Sequence, residues 1–308
     1  MNVVGIEQRS CADATDLIGF FAPETQRPVI LTDAFEHWPA RRKWSWEFFR
    51  TACGDDMGML RISFAKGDPK LLTKVGTFIE CLDQPIDAIG GFWLDASGRP
   101  TDEPANLGSY PTWSFGWHTF NLHPELRNDI SPFAKGVPNL LANFSDEMRD
   151  VLESICDIET STIYLSRKGA IAPFHIDFFH TFGSLFQFEG RKKVLLAAPR
   201  ADLDNLPDDF DPDEPGLKRY PALSGVDVYH ATLEPGQCLI MPPDWWHSTK
   251  TTDHSMTLSC NFFNEFNFSD FMACFLKAAL EDERAAKHVG LLDRICQAAI
   301  ARNRGEPA

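Results

Sequence analysis

The chain has 308 residues, of which 44% are hydrophobic and 24% charged, so it can bury a large core and is not composed like a disordered protein. Its formal net charge of −15 disfavours nucleic acid as a partner, because an acidic surface repels phosphate groups. We expect no signal peptide and no membrane span, since no apolar run is long enough. Eight cysteines are scattered without a CxxC pair, which predicts reduced thiols and a cytoplasmic protein.

The first third of the chain predicts short helices and strands in alternation. The predicted elements are helices over 11–21, 44–53 and 73–82 and strands over 28–31 and 59–64. The segment 88–138 is irregular and rich in Phe, Trp and Tyr. Two interpretations stay open for it, a cover over a binding cleft or an apolar cap on the end of the fold.

A run of short strands follows a helix that Ser145 is expected to cap and that reaches about residue 156. These strands are predicted over 162–166, 174–178, 185–188, 193–197, 228–233, 238–241 and 256–263. Gly and Pro turns separate them, a pattern that indicates a β-sandwich or barrel. An acidic loop over 202–215 interrupts the run, and helical spacing predominates from Ser269 to the end.

The pattern Phe-His-Ile-Asp in the second of these strands is the sharpest chemical feature. Alternate strand residues share a face, so the side chains of His175 and Asp177 are expected to project together. His247, which follows two Trp on a later strand, can complete a set of two imidazoles and one carboxylate that suits Fe(II). A buried His is more often a hydrogen-bonded core residue than a ligand, but the strand, turn and strand context favours a metal site.

A basic run opens another apolar strand, at Arg191, Lys192 and Lys193. A lysine turned towards the interior would need an anion, and a dicarboxylate co-substrate would supply one. If the run is a solvated hairpin, all three side chains stay on the surface. The residues alone favour the solvated hairpin.

Three stretches together resemble a known family. They are PFHIDFFHTFGSLFQFEGRKKVLLAAP, LEPGQCLIMPPDWWHST and LSCNFF. They are similar to the cupin-like branch of the JmjC superfamily, which contains Fe(II)- and 2-oxoglutarate-dependent oxygenases related to the asparaginyl hydroxylase that inhibits hypoxia-inducible factor. Upstream, RPVILTDAFEHWPA resembles the amino-terminal segment of the same branch, so the likeness covers roughly residues 27–265.

The resemblance implies a mostly β fold, a double-stranded β-helix of the cupin or jelly-roll type. The catalytic domain would cover 1–265, including N-terminal α/β elements, and a helical segment over 266–308 would follow and could form a homodimer. The implied metal ligands and catalytic residues are His175, Asp177 and His247, and the implied residues for 2-oxoglutarate are Lys192, Tyr164, Thr181 and Asn261.

Two departures from the family pattern concern the co-substrate. Ala172 stands where related enzymes have Thr, three residues before the first His. About two extra residues separate Asp177 from Gln187, so a family asparagine at this point has no direct counterpart. Thr181 and Ser184 are the candidates to replace it.

The resemblance implies an Fe(II)- and 2-oxoglutarate-dependent oxygenase, a hydroxylase of a peptide, protein or amino-acid-like substrate. One alternative is a metal cupin that acts on a small molecule without 2-oxoglutarate, which would not need Lys192. Another is a non-catalytic cupin binding module, which the intact ligand set argues against.

Overall fold

The computed structural model describes residues 2–61, 70–95, 97–102, 114–145, 149–150, 152–154, 159–199 and 221–281. Its strands are β1 (Asn2–Gly5), β2 (Glu7–Arg9), β3 (Val29–Leu31), β4 (Met57–Arg61), β5 (Lys70–Lys74), β6 (Phe92–Leu94), β7 (Phe115–Gly116), β8 (Ser161–Ser166), β9 (Ile171–His175), β10 (Phe182–Glu189), β11 (Lys192–Ala197), β12 (Asp227–Leu233), β13 (Cys238–Met241), β14 (Trp246–Thr251) and β15 (Ser255–Phe262). Its α-helices are α1 (Ala40–Lys43), α2 (Trp46–Ala52), α3 (Val75–Glu80), α4 (Thr119–Leu122) and α5 (Phe268–Glu281).

The strands form two sheets that pack face to face. One sheet has the order β1-β12-β11-β14-β9, and the other has the order β2-β3-β13-β10-β15-β8-β7-β4-β5-β6. Apolar side chains of both sheets meet in one buried cluster, with Val194 and Leu196 from the first sheet and Leu185, Leu239 and Met241 from the second. This arrangement confirms the prediction of a mostly β jelly-roll fold with α/β elements at the N-terminus.

A second and larger core lies outside the double sheet, where the N-terminal helices pack against the ten-stranded sheet. Aromatic residues of the 88–138 segment contribute to it, since Phe115, Trp117 and Phe120 are buried beside Trp44 and Phe49. For these residues the apolar-cap interpretation is right. Tyr110 and Trp113 of the same segment lie outside the described residues.

Several predicted boundaries were wrong for local reasons. The helix predicted over 73–82 begins at Val75, because Thr73 still pairs with Gly58 in the sheet. The helix predicted over 11–21 is a 3₁₀ helix, Cys11–Phe20. The strand predicted over 174–178 is Ile171–His175, at the edge of its sheet, where Pro173 costs no ladder hydrogen bond.

The C-terminal helical prediction is confirmed as far as the structure describes the chain. Phe271 and Phe275 of α5 are buried, whereas Leu276 and Leu280 of the same helix are exposed. The predicted helical stripe from 289 to 300 and the acidic loop over 202–215 lie outside the described residues, as do parts of the helix predicted after Ser145. In the described part, no helix combines the length and apolarity that crossing a bilayer requires.

Candidate metal centre between the two sheets

The three predicted metal ligands converge in the structure. His175 ends β9 and His247 lies directly opposite it in β14, with ring centroids 4.2 Å apart. Asp177 lies two residues beyond the end of β9, and its Oδ1 is 3.7 Å from Nε2 of His247. One potential ligand atom from each residue lies within 4.8 Å of the other two. This spacing suits a single ion held between two imidazoles and a carboxylate.

Both imidazoles are held in the same tautomer by main-chain acceptors. Nδ1 of His175 is 2.6 Å from the carbonyl oxygen of Pro173, and Nδ1 of His247 is 3.0 Å from that of Trp245. A carbonyl only accepts, so each Nδ1 carries a proton, and in the neutral ring Nε2 then keeps its lone pair for a metal. Such partners of the second ring nitrogen are typical of metal-binding histidines.

Asp177 is oriented by an amide and by a close backbone approach. The side-chain nitrogen of Asn261 donates to Oδ2 of Asp177 over 3.0 Å, and it lies 3.2 Å from the hydroxyl of Thr181. This leaves Oδ1 turned towards His247. A Cβ atom on Gly183 would lie 2.6 Å from Oδ2, so only a glycine leaves room for this carboxylate.

Burial keeps the imidazole of His175 uncharged. Burial and the neighbouring His247 together lower the pKa of His175 to about 4, although Asp177 acts in the opposite direction. A neutral imidazole is the form that binds a metal, so near neutral pH His175 has no proton to displace.

Lys192 is turned into the interior and Lys193 faces solvent. The interior interpretation, which the residues alone disfavoured, is therefore correct. Lys192 is 3% exposed, and burial lowers its pKa to about 8. Among the described residues, no hydrogen bond or ion pair to its ammonium group is found. A buried cation of this kind calls for an anion.

Lys192 shares a sheet face with the metal ligands. Leu196 lies opposite His247 in the paired strands β11 and β14, and Lys192 lies four residues before it on the same face. The separation along the strand is about 13 Å. The lysine side chain and a five-carbon dicarboxylate together would fill such a span.

Tyr164 faces the space between the two sheets from the opposite side; we call this space, bordered by the three ligand candidates, Lys192 and Tyr164, the chamber. It pairs with Thr257 of β15, which by strand alternation faces the same way as Asn261. Burial raises the pKa of its phenol, and the charge of Asp177 raises it further. Tyr164 therefore keeps its proton and is a hydrogen-bond donor in this chamber.

The remaining candidate residues differ in whether their side chains face the metal centre. Ser184 faces away from the centre and donates to the carbonyl oxygen of Cys260 over 2.8 Å, so Thr181 is the candidate that reaches Asp177 through Asn261. His230, a histidine of the same five-stranded sheet as His175 and His247, lies exposed on the outer side of β12, away from the centre. Of the two Trp before His247, Trp245 is buried in the core between the sheets, while Trp246 stacks on Phe174.

One feature of the site had only a weak sequence signal, the unusual length of the loop after Asp177. Phe179 and His180 both have positive φ, 52° and 50°, and the amide of Thr181 donates to the carbonyl of Phe178. Two central residues with positive φ are typical of a type I′ turn, in which Asn and Gly are preferred. The bulky pair is therefore held in a strained turn directly after the carboxylate ligand.

This geometry agrees with what comparison with known proteins finds. The model of the cupin-like domain matches residues 22–270, which is more than half of the chain. The chain belongs to this family. The membership confirms the resemblance to the cupin-like branch of the JmjC superfamily, and the matched range contains the whole cluster of metal-ligand candidates.

Individual relatives carry related names. Jumonji C domain-containing protein 5 of Drosophila melanogaster is 27% identical over 248 residues, 77% of this chain and 54% of the relative. Lysine-specific demethylase 8 of Xenopus tropicalis is 23% identical over 243 residues, 76% of this chain and 47% of the relative. The 2-oxoglutarate and iron-dependent oxygenase JMJD4 of Gallus gallus is 29% identical over 152 residues, 46% of this chain and 34% of the relative. The chain thus spans about half the length of the first two.

Proposed function

We propose that this cupin-like domain is an Fe(II)- and 2-oxoglutarate-dependent oxygenase that hydroxylates a peptide, protein or amino-acid-like substrate. One observation carries the proposal. A His-Asp-His ligand set and a buried lysine without a partner among the described residues share one chamber between the sheets. The name of the JMJD4 relative supports both the metal and the co-substrate.

The donor set fits Fe(II). Two imidazole nitrogens and one carboxylate oxygen would hold the ion, contributed by His175, His247 and Asp177. This combination leaves positions open for a co-substrate and oxygen, as in the non-haem iron oxygenases. The Fe(II) ion, when bound, supplies the oxygen chemistry that no side chain of the chain provides.

The interior polar groups fit 2-oxoglutarate. We propose that the Lys192 ammonium pairs with the distal carboxylate and that the Tyr164 hydroxyl donates to it, because both groups are donors that face the space between the sheets. Asn261 and Thr181 would border the proximal end of the co-substrate, since both lie beside Asp177. The chain thus orients the co-substrate from both ends and keeps its distal carboxylate out of water.

The chain's own residues do the positioning. Asn261 fixes the carboxylate of Asp177, and the two main-chain carbonyls fix the imidazole tautomers. The apolar core between the sheets lies on one side of the centre, where His247 is buried, while the Asp177 side chain is 23% exposed on the other. Orientation is how a protein contributes when a metal carries the reaction.

The alternative of a cupin enzyme that does not use 2-oxoglutarate is less well supported. Such an enzyme has no need for a buried cation at Lys192, which costs the fold free energy. The name of the demethylase relative raises a second outcome on a protein substrate, in which hydroxylation of a methyl group leads to its loss. Both outcomes begin with hydroxylation in the same site, and release of formaldehyde on turnover would indicate demethylation.

The deciding experiment is an anaerobic Fe(II) titration with and without 2-oxoglutarate, followed by the metal-to-ligand charge-transfer absorption in the visible. We expect the band only with both components, and we expect it to be lost in Lys192→Ala. Lys193→Ala is the matched control, because this neighbouring lysine faces solvent. Iron binding without the band would contradict the use of 2-oxoglutarate and favour the alternative cupin enzyme.

We also propose a cytoplasmic homodimer that associates through the C-terminal helices. The support is that α5 exposes Leu276 and Leu280, 39% and 86%, beside its buried Phe stripe. A monomer in light scattering at micromolar concentration would contradict the dimer, and fractionation of cells would test the location.

A further inference from the structure

A second cluster of metal-ligating side chains lies among the N-terminal elements. It consists of the thiol of Cys53, the carboxylate of Asp56 and the imidazole of His123, with one ligand atom of each within 4.8 Å of the other two. It shares no residue with the His175 centre. From this geometry we propose that Cys53, Asp56 and His123 bind a Zn²⁺ ion with a structural role.

The donor set suits zinc. One thiolate, one imidazole and one carboxylate provide three of the four ligands that a tetrahedral zinc ion requires, and water can supply the fourth. Cys53 and Asp56 are three residues apart, the short spacing found in many zinc sites. Nε2 of His123 and Oδ2 of Asp56 are 2.7 Å apart, so a bound ion needs only a small separation of these two side chains.

The carboxylate of Glu125 lies next to the second ring nitrogen of His123 and can orient its imidazole. Oε1 of Glu125 lies 3.4 Å from Nδ1 of His123. Glu125 can take the Nδ1 proton as a hydrogen bond, which would leave the Nε2 lone pair directed at the ion. A carboxylate, histidine and metal in sequence is a recurring arrangement in zinc sites.

The backbone around the cluster is preorganised. The amide of Asp56 donates to the carbonyl of Cys53 over 2.9 Å, and the amide of Val75 donates to the carbonyl of Asp56 over 2.9 Å. On the other side, the amide of His123 donates to the carbonyl of Thr119 over 2.8 Å. The backbone that carries the three ligands is therefore fixed before any ion enters, which lowers the cost of binding.

Burial keeps the thiol of Cys53 from acting as a nucleophile. Cys53 is 1% exposed, and burial raises the pKa of its thiol to about 12, with Asp56 and Glu125 adding to the effect. A free thiol in this environment stays protonated and inert. A divalent cation would take the place of that proton and balance the nearby carboxylates.

The ion would join two segments that are distant in sequence. Cys53 and Asp56 follow α2, whereas His123 follows α4, and Asp56 and His123 are 67 residues apart. Both segments pack into the aromatic core beside the ten-stranded sheet. The expected role is therefore stabilisation of the N-terminal elements.

The test uses the full chain carrying His175→Ala and His247→Ala, so that the first centre cannot compete. Co²⁺ is titrated anaerobically, and thiolate-to-cobalt charge transfer is followed in the near ultraviolet. We expect one equivalent to produce the band, one equivalent of Zn²⁺ to displace it, and Zn²⁺ to raise the melting temperature. Absence of the band in this parent protein would overturn the proposal.

Matched variants identify the ligands. Cys53→Ser should abolish the band, whereas Cys81→Ser should keep it, because the Cys81 thiol lies outside the cluster near the carbonyl oxygen of Ala88. Should Cys53→Ser fail to fold, His123→Asn and Asp56→Asn take its place, with at least a tenfold weaker affinity expected. A band that survives in Cys53→Ser, or is lost in Cys81→Ser, would assign the cobalt to another thiol and overturn the proposal.

Discussion

Nδ1 of His180 forms a hydrogen bond with Oδ2 of Asp244. This contact joins the loop that follows Asp177 to the loop that precedes His247. His180 lies three residues after Asp177, and Asp244 lies three residues before His247. Both residues have positive φ, 50° and 61°, a conformation that costs free energy for any residue with a side chain. Asn267 also donates to the carbonyl oxygen of His180. The hydrogen bonds with Asp244 and Asn267 therefore stabilise the strained turn at His180, next to the proposed iron site.

This relationship predicts that His180→Asn weakens Fe(II) binding about 10- to 100-fold, the usual effect of losing an outer-shell partner. Asparagine tolerates positive φ, so the turn itself should persist. The measurement is an anaerobic Fe(II) titration of the variant and the parent. His254→Asn is the matched control, because His254 makes a similar pair with Asp83 over 2.8 Å elsewhere. Equal Fe(II) affinity for His180→Asn and the parent would refute a positioning role.

We predict that the buried charge of Lys192 lowers the stability of the fold and is kept because 2-oxoglutarate binding needs it. Burial lowers its pKa from 10.5 to about 8, and each pKa unit corresponds to about 1.4 kcal/mol, so the buried charge costs on the order of 3 kcal/mol. Lys192→Met should therefore raise the free energy of unfolding without 2-oxoglutarate, by up to that amount, and abolish 2-oxoglutarate binding. Urea unfolding of both proteins, with and without 2-oxoglutarate, measures this. A destabilised Lys192→Met protein would mean that the ammonium has a favourable partner.

The same shift fixes the pH dependence of stability without 2-oxoglutarate. The folded-state pKa of Lys192 lies below the unfolded value, so below about pH 8 both states bind the proton and the penalty is complete. Between about 8 and 10.5 the unfolded state alone retains the proton, so this residue makes stability rise with pH. In Lys192→Met that contribution should vanish. The difference between the two pH profiles of unfolding measures it, and parallel profiles would contradict the assignment.

The affinity for 2-oxoglutarate should fall as pH rises, whereas the stability without 2-oxoglutarate should increase. The ammonium pairs with a carboxylate only when protonated, so the dissociation constant for 2-oxoglutarate should increase as pH rises through about 8. Anaerobic titrations between pH 7 and 9 would measure it. A dissociation constant that does not change over this range would exclude Lys192 as the group that binds the carboxylate.

The sequence was most informative where strands are apolar and least informative where they are not. β13 was predicted at its observed bounds, Cys238–Met241, because all four residues are buried and apolar. A strand was expected at His247 but its bounds were not predicted, since Trp246–Thr251 is largely polar and lines the proposed site. Hydrophobic periodicity cannot find a strand whose inner face serves a ligand rather than a core.

The candidate site shows the same division. His175, Asp177 and His247 were recognised as a combination, but their convergence depends on the register of β9 against β14, which no local pattern encodes. A run of three basic residues does not show which of them points into the interior. That depends on the residue at which the strand begins, because alternate residues of a strand face opposite sides. The contact between His180 and Asp244 joins residues 64 apart, so only the tertiary structure reveals it.

Gly183 gives a prediction that separates the metal site from the fold. A Cβ atom there would lie 2.6 Å from Oδ2 of Asp177 and 2.7 Å from Cε of Met241. The methionine side chain can move aside, whereas the carboxylate is also held by Asn261, so Gly183→Ala should displace the ligand rather than unfold the sheet. We expect a folded protein whose Fe(II) affinity falls at least tenfold.

Circular dichroism and an anaerobic Fe(II) titration check the two halves of this prediction. Gly19→Ala is the control, because a Cβ atom at that position has no neighbour within 4 Å and should change neither property. A Gly183→Ala protein that binds Fe(II) like the parent would show that Asp177 can relax away from the new methyl group. In that case its orientation by Asn261 would not be needed for metal binding. A weakened site in a folded protein would instead tie metal affinity to the close backbone approach at Gly183.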